Sequence, residues 1–233
     1  MRSCAGVPID MTTPPPLFLA SSSPRRRQLL KLLGLPFTVG VAPTDEEVAQ
    51  GRFRGSVEEM AQWLAKHKAA AALTLPEAEG HLVITADTTV ILNGAILGKP
   101  LNELHARELL LALRGRWHYV VTGIAVSQKI DGKHRILGSS CITPVLMRRY
   151  SEAEINAYIA TADPMDKAGA YGIQNPAFQP TARIDGCYWN VVGLPICALV
   201  DLLAEFDVYP VISRNEYARG ETGCPWSEKC LLI

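Results

Sequence analysis

Hydrophobic and polar positions along the first third of the chain predict a strand, a tight turn and a helix in succession. The apolar run at residues 17–20 is typical of a buried strand, and leucines then recur at helical spacing over residues 29–33. Ser23 is a suitable N-cap, Pro24 suits the first helical position, and Gly34 suits the position just past the end. The helix is therefore predicted to begin directly after the strand.

The same patterns predict the remaining elements. Apolar stretches predict strands at residues 37–41, 82–85, 119–127 and 135–147. Capping residues followed by helical periodicity predict helices at residues 56–73, 102–114, 151–160 and 195–206. Turn dipeptides predict hairpins at residues 90–97 and 184–192, and the stretch 163–174 is predicted to be a loop.

Helices and strands alternate early, and antiparallel hairpins follow, which predicts a mixed α/β sheet. We expect one domain at residues 17–207, preceded by a flexible leader at 1–16 and followed by a peripheral tail at 208–233.

Composition narrows the possible partners. Lys plus Arg and Asp plus Glu number 23 each, so the net charge is zero and a broad electrostatic grip on nucleic acid or an anionic membrane is not expected. No apolar run is long enough to predict a membrane span. The six cysteines include no Cys-x-x-Cys pair, so we expect reduced thiols and a cytoplasmic protein.

The first candidate site is the turn Ser-Ser-Ser-Pro-Arg-Arg-Arg at residues 21–27. A helix N-terminus presents unpaired N–H groups and a positive dipole end, and guanidinium groups match phosphate oxygens two at a time. The alternative is an ordinary capped helix with basic residues on its solvated face. Because basic charge in a first turn opposes the helix dipole, the pattern favours a phosphate-binding turn.

Asp87 is the leading catalytic candidate, because it follows the predicted strand 82–85 and a carboxylate at a strand end commonly faces a ligand crevice. The alternative is an aspartate in a helix cap or turn, which the hairpin that follows makes less attractive. Carboxylates can also hold a hard cation such as Mg²⁺, so Glu46 is a possible partner, although an acidic cluster at 45–47 is also typical of a solvated loop.

Three further positions are ambiguous from the residue pattern alone. Lys68 has the spacing of a surface lysine on its helix. Lys99 lies in a stiff turn, where it is either a phosphate contact or a turn residue without a binding role. Gln174 ends a segment of small residues that would let a ligand approach the backbone. Its side-chain amide both donates and accepts hydrogen bonds, as base recognition requires. The alternative is that this segment is a flexible surface loop.

Five segments taken together resemble the Maf family of nucleotide pyrophosphatases. They occur in the family's order and cover about residues 17–206; they are Leu19–Arg26, Thr85–Thr88, Gly98–Pro100, Asp166–Gln174 and Asn190–Pro195. The resemblance implies an elongated mixed α/β sheet with flanking helices, two lobes around a central cleft, and a homodimer. It also implies hydrolysis of a nucleoside triphosphate to the monophosphate and pyrophosphate, with Mg²⁺ or Mn²⁺ as cofactor.

The resemblance also assigns roles to residues. Asp87 would be the general base, and Asp87 with Glu46 would hold the metal. The substrate-binding positions would be Ser21, Ser23, Arg25, Arg26, Lys68, Thr88, Lys99, Lys167 and Gln174. Among these, Arg25, Thr88 and Gln174 look like the branch that acts on dTTP and UTP.

One departure concerns the base-recognition loop. Asn175-Pro176 stands where the family usually has glycine, which stiffens the loop and bears on base selectivity. The alternatives are the same chemistry on 7-methyl-GTP, or a non-catalytic nucleotide sensor linked to cell division. A nucleic-acid-binding module using Arg25–Arg27 is opposed by the zero net charge and by the absence of an aromatic-basic stripe.

Overall fold

The structure, a computed structural model, describes residues 14–44 and 50–210. Its strands are β1 (Leu17–Ala20), β2 (Phe37–Gly40), β3 (Leu82–Leu92), β4 (Ala95–Leu97), β5 (Trp117–Ile130), β6 (Lys133–Met147) and β7 (Thr181–Ile184). The α-helices bounded within these ranges are α1 (Pro24–Lys31), α2 (Met60–Ala72), α3 (Glu103–Leu113), α4 (Glu152–Ile159), α5 (Tyr188–Val192) and α6 (Ile196–Ala204). Short 3-10 turns occur at Pro76–Ala78, Asp163–Asp166 and Ala168–Ala170.

The strands form one mixed sheet in the order β2-β1-β3-β5-β6-β7, with β4 paired to β3. β1 runs parallel to β2 and β3, and the other pairings are antiparallel. The long β5–β6 hairpin turns at Asp131 and Gly132, whose φ angles are 49° and 75°. The predicted mixed α/β fold is confirmed.

β3 leaves a gap in the middle of the sheet. Its first residues, Leu82–Ile84, pair with β1, and its last three pair with β4 through a turn at Asn93-Gly94. Both partners lie on the side of β3 opposite β5, so residues 85–89 have no described strand beside them on that edge. Residues 86–89 of this stretch line the cleft described below.

The predicted strand at residues 82–85 is too short, because β3 continues to Leu92. Thr88, Thr89, Val90 and Ile91 prolong it, since β-branched residues favour the extended conformation. Asp87 thus lies inside a strand rather than at its end.

Small residues bring α2 close to the sheet. Four fully buried alanines face it, namely Ala61, Ala65, Ala69 and Ala72. A Cβ on Gly123 of β5 would lie only 2.2 Å from the backbone carbonyl carbon of Ala61. The predicted helix start at residue 56 is wrong: Ser56 N donates to the Glu59 carboxylate at 2.9 Å, but α2 begins at Met60 without a side-chain cap.

Two apolar cores flank the sheet gap. One gathers α1, α6 and the first half of β3 around Leu30, Ile84 and Leu199. The other gathers α3 and α4 against β5 and β6. Ile173 and Tyr188 pack against both cores, so the cores meet beneath the gap.

The predicted hairpin at residues 184–192 is wrong, because β7 ends at Ile184 and a short helix, α5, follows. The buried Asn190 side chain explains the helix. Its amide donates to Val120 O at 2.9 Å and to Thr143 Oγ1 at 2.8 Å, and its Oδ1 accepts from Thr122 N at 3.0 Å. Because the chain turns inward at Asn190, its buried side-chain amide finds hydrogen-bond partners in the sheet. A hairpin on the surface would instead expose this amide to solvent.

Candidate active site

The turn between β1 and α1 forms one wall of the site. Ser23 is the N-cap of α1, and its Oγ accepts from Arg26 N at 3.4 Å, while Ser21 Oγ accepts from Ser23 N at 3.3 Å. Pro24 occupies the first helical turn, as predicted. The two hydroxyls thus fix the turn that presents the N-terminus of α1.

Arg26 ties this turn to two other segments. Its Nε donates to Gly193 O at 2.9 Å, and its guanidinium also donates to Thr88 Oγ1 at 3.1 Å and Ser21 Oγ at 3.4 Å. Thr88 Oγ1 lies 3.0 Å from Thr122 Oγ1. Gly193 lies just before the predicted helix at residues 195–206, and no local pattern shows that its carbonyl accepts from an arginine 167 residues away.

Asp87 and Lys68 form a buried ion pair at the edge of β3. Lys68 Nζ donates to Asp87 Oδ1 at 2.6 Å, and the two residues are only 9% and 8% exposed. The interpretation of Lys68 as a surface lysine is wrong, since α2 packs on the sheet and brings the Lys68 side chain to Asp87 of β3. Because side chains alternate along a strand, Thr88 points to the opposite face, toward Arg26.

The segment 163–176 forms the facing wall, and two aspartates there engage the basic residues. Arg25 Nη1 lies 3.5 Å from Asp166 Oδ2, and Lys167 Nζ lies 2.7 Å from Asp166 Oδ1 and 2.8 Å from Asp163 Oδ1. Partial burial raises the pKa of Asp163, but hydrogen bonds from Lys167 and Tyr158 outweigh it and leave that pKa below its usual value. Sequence reasoning did not single out these carboxylates.

Asn175 fixes the loop that carries Gln174. Its Nδ2 donates to Asp163 Oδ2 at 3.2 Å, and its Oδ1 accepts from Ala177 N at 3.1 Å and Phe178 N at 2.8 Å. Tyr158 OH also donates to Asp163 Oδ2, at 2.7 Å. Gln174 itself is exposed, so it stands on an anchored turn with its amide available.

These walls enclose a single cleft of about 920 Å³. It is lined by the predicted positions that the structure describes, namely Ser21, Ser23, Arg25, Arg26, Lys68, Asp87, Thr88, Lys99, Lys167 and Gln174. Lys99 is exposed on the loop between β4 and α3. The remaining prediction, Glu46, lies outside the described residues.

Asp87 is a described carboxylate that could contribute to a divalent-cation site in the cleft. Within residues 14–44 and 50–210, no group of three or more His, Cys, Asp or Glu side chains could hold a metal ion. Mg²⁺, however, is commonly bound by one or two carboxylates together with substrate phosphates. Asp87 offers one carboxylate at the cleft, with Oδ1 on Lys68. The residues present therefore fit a cation that is shared with a phosphorylated ligand.

Fold and site together define a mixed α/β protein with a cleft that is lined by a buried carboxylate and by several basic side chains. The family model described as "Maf-like protein" matches residues 16–206, and the chain belongs to this family.

Curated relatives agree with this placement. A dTTP/UTP pyrophosphatase of Dictyoglomus thermophilum is 45% identical over 190 residues, covering 80% of this chain and 94% of its own. The dTTP/UTP pyrophosphatase of Moorella thermoacetica is 46% identical, covering 82% and 95%. That of Thermomicrobium roseum is 42% identical, covering 86% and 88%. None of the helices in the described part of the chain has the length and apolar character needed to cross a bilayer.

Proposed function

We propose that this protein hydrolyses dTTP and UTP to the nucleoside monophosphate and pyrophosphate. Relatives that bear this activity in their names match at 42–46% identity over most of both chains. The observation that carries the proposal is the position of Asp87. This buried carboxylate lies at the open edge of β3, in the same cleft as the serine- and arginine-bearing turn.

Asp87 accepts the proton of the attacking water in this proposal. The buried Lys68 donates to one carboxylate oxygen of Asp87 at 2.6 Å, and this hydrogen bond fixes the orientation of the base. β3 pairs with β1 before Asp87 and with β4 after it, so the backbone is fixed on either side of Asp87 along the chain. A water placed between Asp87 and the α-phosphorus would lose its proton as it attacks.

Basic side chains from three segments neutralise the departing pyrophosphate. Among the described residues, Arg25 is bound only by Asp166, at 3.5 Å, and the Asp166 side chain is 62% exposed, so phosphate oxygens can replace that partner at low cost. Lys99 and Lys167 line the same cleft from two other segments of the chain. Arg26, with three hydrogen bonds to protein atoms, holds the turn in place for the phosphates.

A divalent cation, Mg²⁺ or Mn²⁺, completes the proposal. Asp87, and by family resemblance Glu46, would hold it. When bound, such an ion neutralises phosphate charge and makes a bound water easier to deprotonate.

Base selectivity is proposed to depend on Gln174, with Arg25 and Thr88 shaping the cleft. The glutamine amide offers a donor and an acceptor side by side, as does the carbonyl and N–H edge of thymine or uracil. Asn175 anchors the turn beneath it through Asp163, so the amide is presented from a fixed backbone.

We further propose a cytoplasmic homodimer. The six cysteines include no Cys-x-x-Cys pair, and a chain of this size does not need disulfides, so the reducing cytoplasm is the expected compartment. Trp117, Tyr119 and Ile142 are 41–51% exposed and belong to the paired strands β5 and β6, where a second copy could cover them. Light scattering that reports a monomer at micromolar concentration would exclude the dimer.

The test measures pyrophosphate released from dTTP, UTP, CTP and 7-methyl-GTP in the presence of Mg²⁺. Asp87→Asn should reduce turnover of dTTP and UTP by about 10²–10⁴-fold, the usual contribution of a positioned base, while triphosphate binding persists. Asp131→Asn, in the exposed β5–β6 turn, is the matched control and should behave as wild type. Wild-type turnover in Asp87→Asn, or no pyrophosphate from any nucleotide, would refute the proposal.

A further inference from the structure

A second concave site lies at the end of α3, away from the cleft. It is a hollow of about 480 Å³, called here the arginine hollow, and it is lined by Arg114, Gly115, Arg116, Arg149 and Tyr150. Two backbone hydrogen bonds lock its segments side by side, from Gly115 N to Arg148 O at 3.0 Å and from Met147 N to Arg116 O at 3.1 Å. The hollow therefore belongs to the rigid part of the fold.

Among residues 14–44 and 50–210, the three arginines of the hollow have no acidic partner. Arg114, Arg116 and Arg149 are exposed, and within the described part of the chain no carboxylate oxygen lies within 4.0 Å of their guanidinium nitrogens. The neighbouring Arg148, by contrast, is bound by Glu154 at 2.8 Å and by two backbone carbonyls. In a chain of zero net charge, three adjacent unpaired guanidinium groups form a local excess of positive charge.

Capping of α3 does not account for these arginines. A helix C-terminus leaves carbonyls that basic side chains can satisfy. Here Leu110 O already accepts from Arg114 N at 3.0 Å and from Tyr150 OH at 2.6 Å, and Leu113 O accepts from Arg116 N at 3.0 Å. Among the described residues, no protein atom forms a hydrogen bond or ion pair with the three guanidinium groups, so they are available to a ligand.

Glycine at position 115 shapes the hollow. Its φ of 67° is one that other residues rarely adopt, and a Cβ there would lie 3.0 Å from Arg149 Cγ. The absence of that Cβ lets the stem of Arg149 lie against the turn between Arg114 and Arg116. The two segments thus direct their positive charge to one concave surface.

We propose that the arginine hollow binds an oligophosphate anion, either free pyrophosphate or the triphosphate group of a nucleotide. Guanidinium forks match phosphate oxygens in pairs, and several of them around one hollow suit a ligand with more than one phosphate. The hollow is distinct from the cleft, because α3 separates them. Leu101, just before α3, lines the cleft, and eleven helical residues span about 16 Å.

The probe is radiolabelled inorganic pyrophosphate, and equilibrium dialysis counts the molecules bound per full-length chain at low ionic strength. Arg114→Gln/Arg149→Gln should bind one pyrophosphate fewer per chain than wild type. The control variant Lys129→Gln/Lys133→Gln removes the same charge from exposed positions and should bind as much pyrophosphate as wild type. These lysines lie at the far end of the β5–β6 hairpin, about 40 Å from the hollow at 3.3 Å per residue. Both variants should keep wild-type turnover of dTTP, which shows that they fold.

The outcomes separate this site from the cleft. If the cleft binds no pyrophosphate, the count should fall from one to zero in the arginine variant rather than from two to one. A second arm uses dTTP in the Asp87→Asn background: loss in both arms identifies the oligophosphate group as the ligand, and loss with pyrophosphate alone identifies the free product. An unchanged count in the arginine variant, or an equal loss in the lysine control, would overturn the proposal.

Discussion

Removing the lysine of the buried Lys68–Asp87 pair should destabilise the fold as well as the site. Lys68→Met leaves the Asp87 carboxylate without its 2.6 Å partner, while its residue is only 8% exposed. Breaking a buried pair by removing one partner costs about 3–5 kcal/mol. Because Asp87 borders the cleft, where water can reach it, we expect the lower end, about 3 kcal/mol. For a chain of this size, that corresponds to a fall in Tm of roughly 6–12 °C.

Urea unfolding without nucleotide or metal measures this loss directly. Lys66→Met is the matched control, because Lys66 is exposed on the same helix, and it should change the free energy of unfolding by less than about 0.5 kcal/mol. The double variant Lys68→Met/Asp87→Asn should recover part of the loss, since it no longer leaves a charge unpaired. Equal stability of Lys68→Met and Lys66→Met, or strictly additive effects in the double variant, would refute the existence of an energetic pair.

Two further changes test the packing and the electrostatics. Gly123→Ala places a methyl group 2.2 Å from the backbone of α2 and should lower stability by about 2–3 kcal/mol in thermal unfolding; Gly51→Ala, which meets nothing within 4 Å, should have no comparable effect. Hydrogen bonds from Ser151 N–H, Arg148 and the Ser151 hydroxyl lower the pKa of Glu154 to about 2. Wild type should therefore be more stable than Glu154→Gln above the unfolded-state pKa of about 4.3, and the difference in Tm should vanish as the pH falls toward 2. A pH-independent difference would contradict this origin.

Features governed by neighbouring residues could be predicted from the sequence. The N-caps at Ser23 and Ser151 occur where the pattern placed them, and Ser151 forms a complete capping box with Glu154. The turn at Asn93-Gly94 is present, with both residues at positive φ. Each of these depends on contacts within four residues, which a linear pattern records.

Features that depend on distant contacts could not be predicted. Lys68 has the helical spacing of a surface residue, and only the packing of α2 on the sheet brings it to Asp87. The helix at residues 188–192 forms because the Asn190 amide finds partners on β5 and β6. The described residues to which the family resemblance assigns roles line one cleft, whereas the residue pattern alone gives Lys68 the spacing of a surface lysine and leaves Lys99 ambiguous.

The cleft beside the gap in β3 has two walls of different character. The wall that carries Asp87 is strand backbone, paired at both ends of the gap and along its inner edge, and it has little room to vary. The opposite wall is a run of turns, from Asp163 to Pro176, held together by side chains rather than by the sheet. Substitutions in those turns can reshape what enters the cleft while Asp87, the proposed general base, stays where it is. New substrate preferences can therefore evolve on one side of the cleft without rebuilding the other.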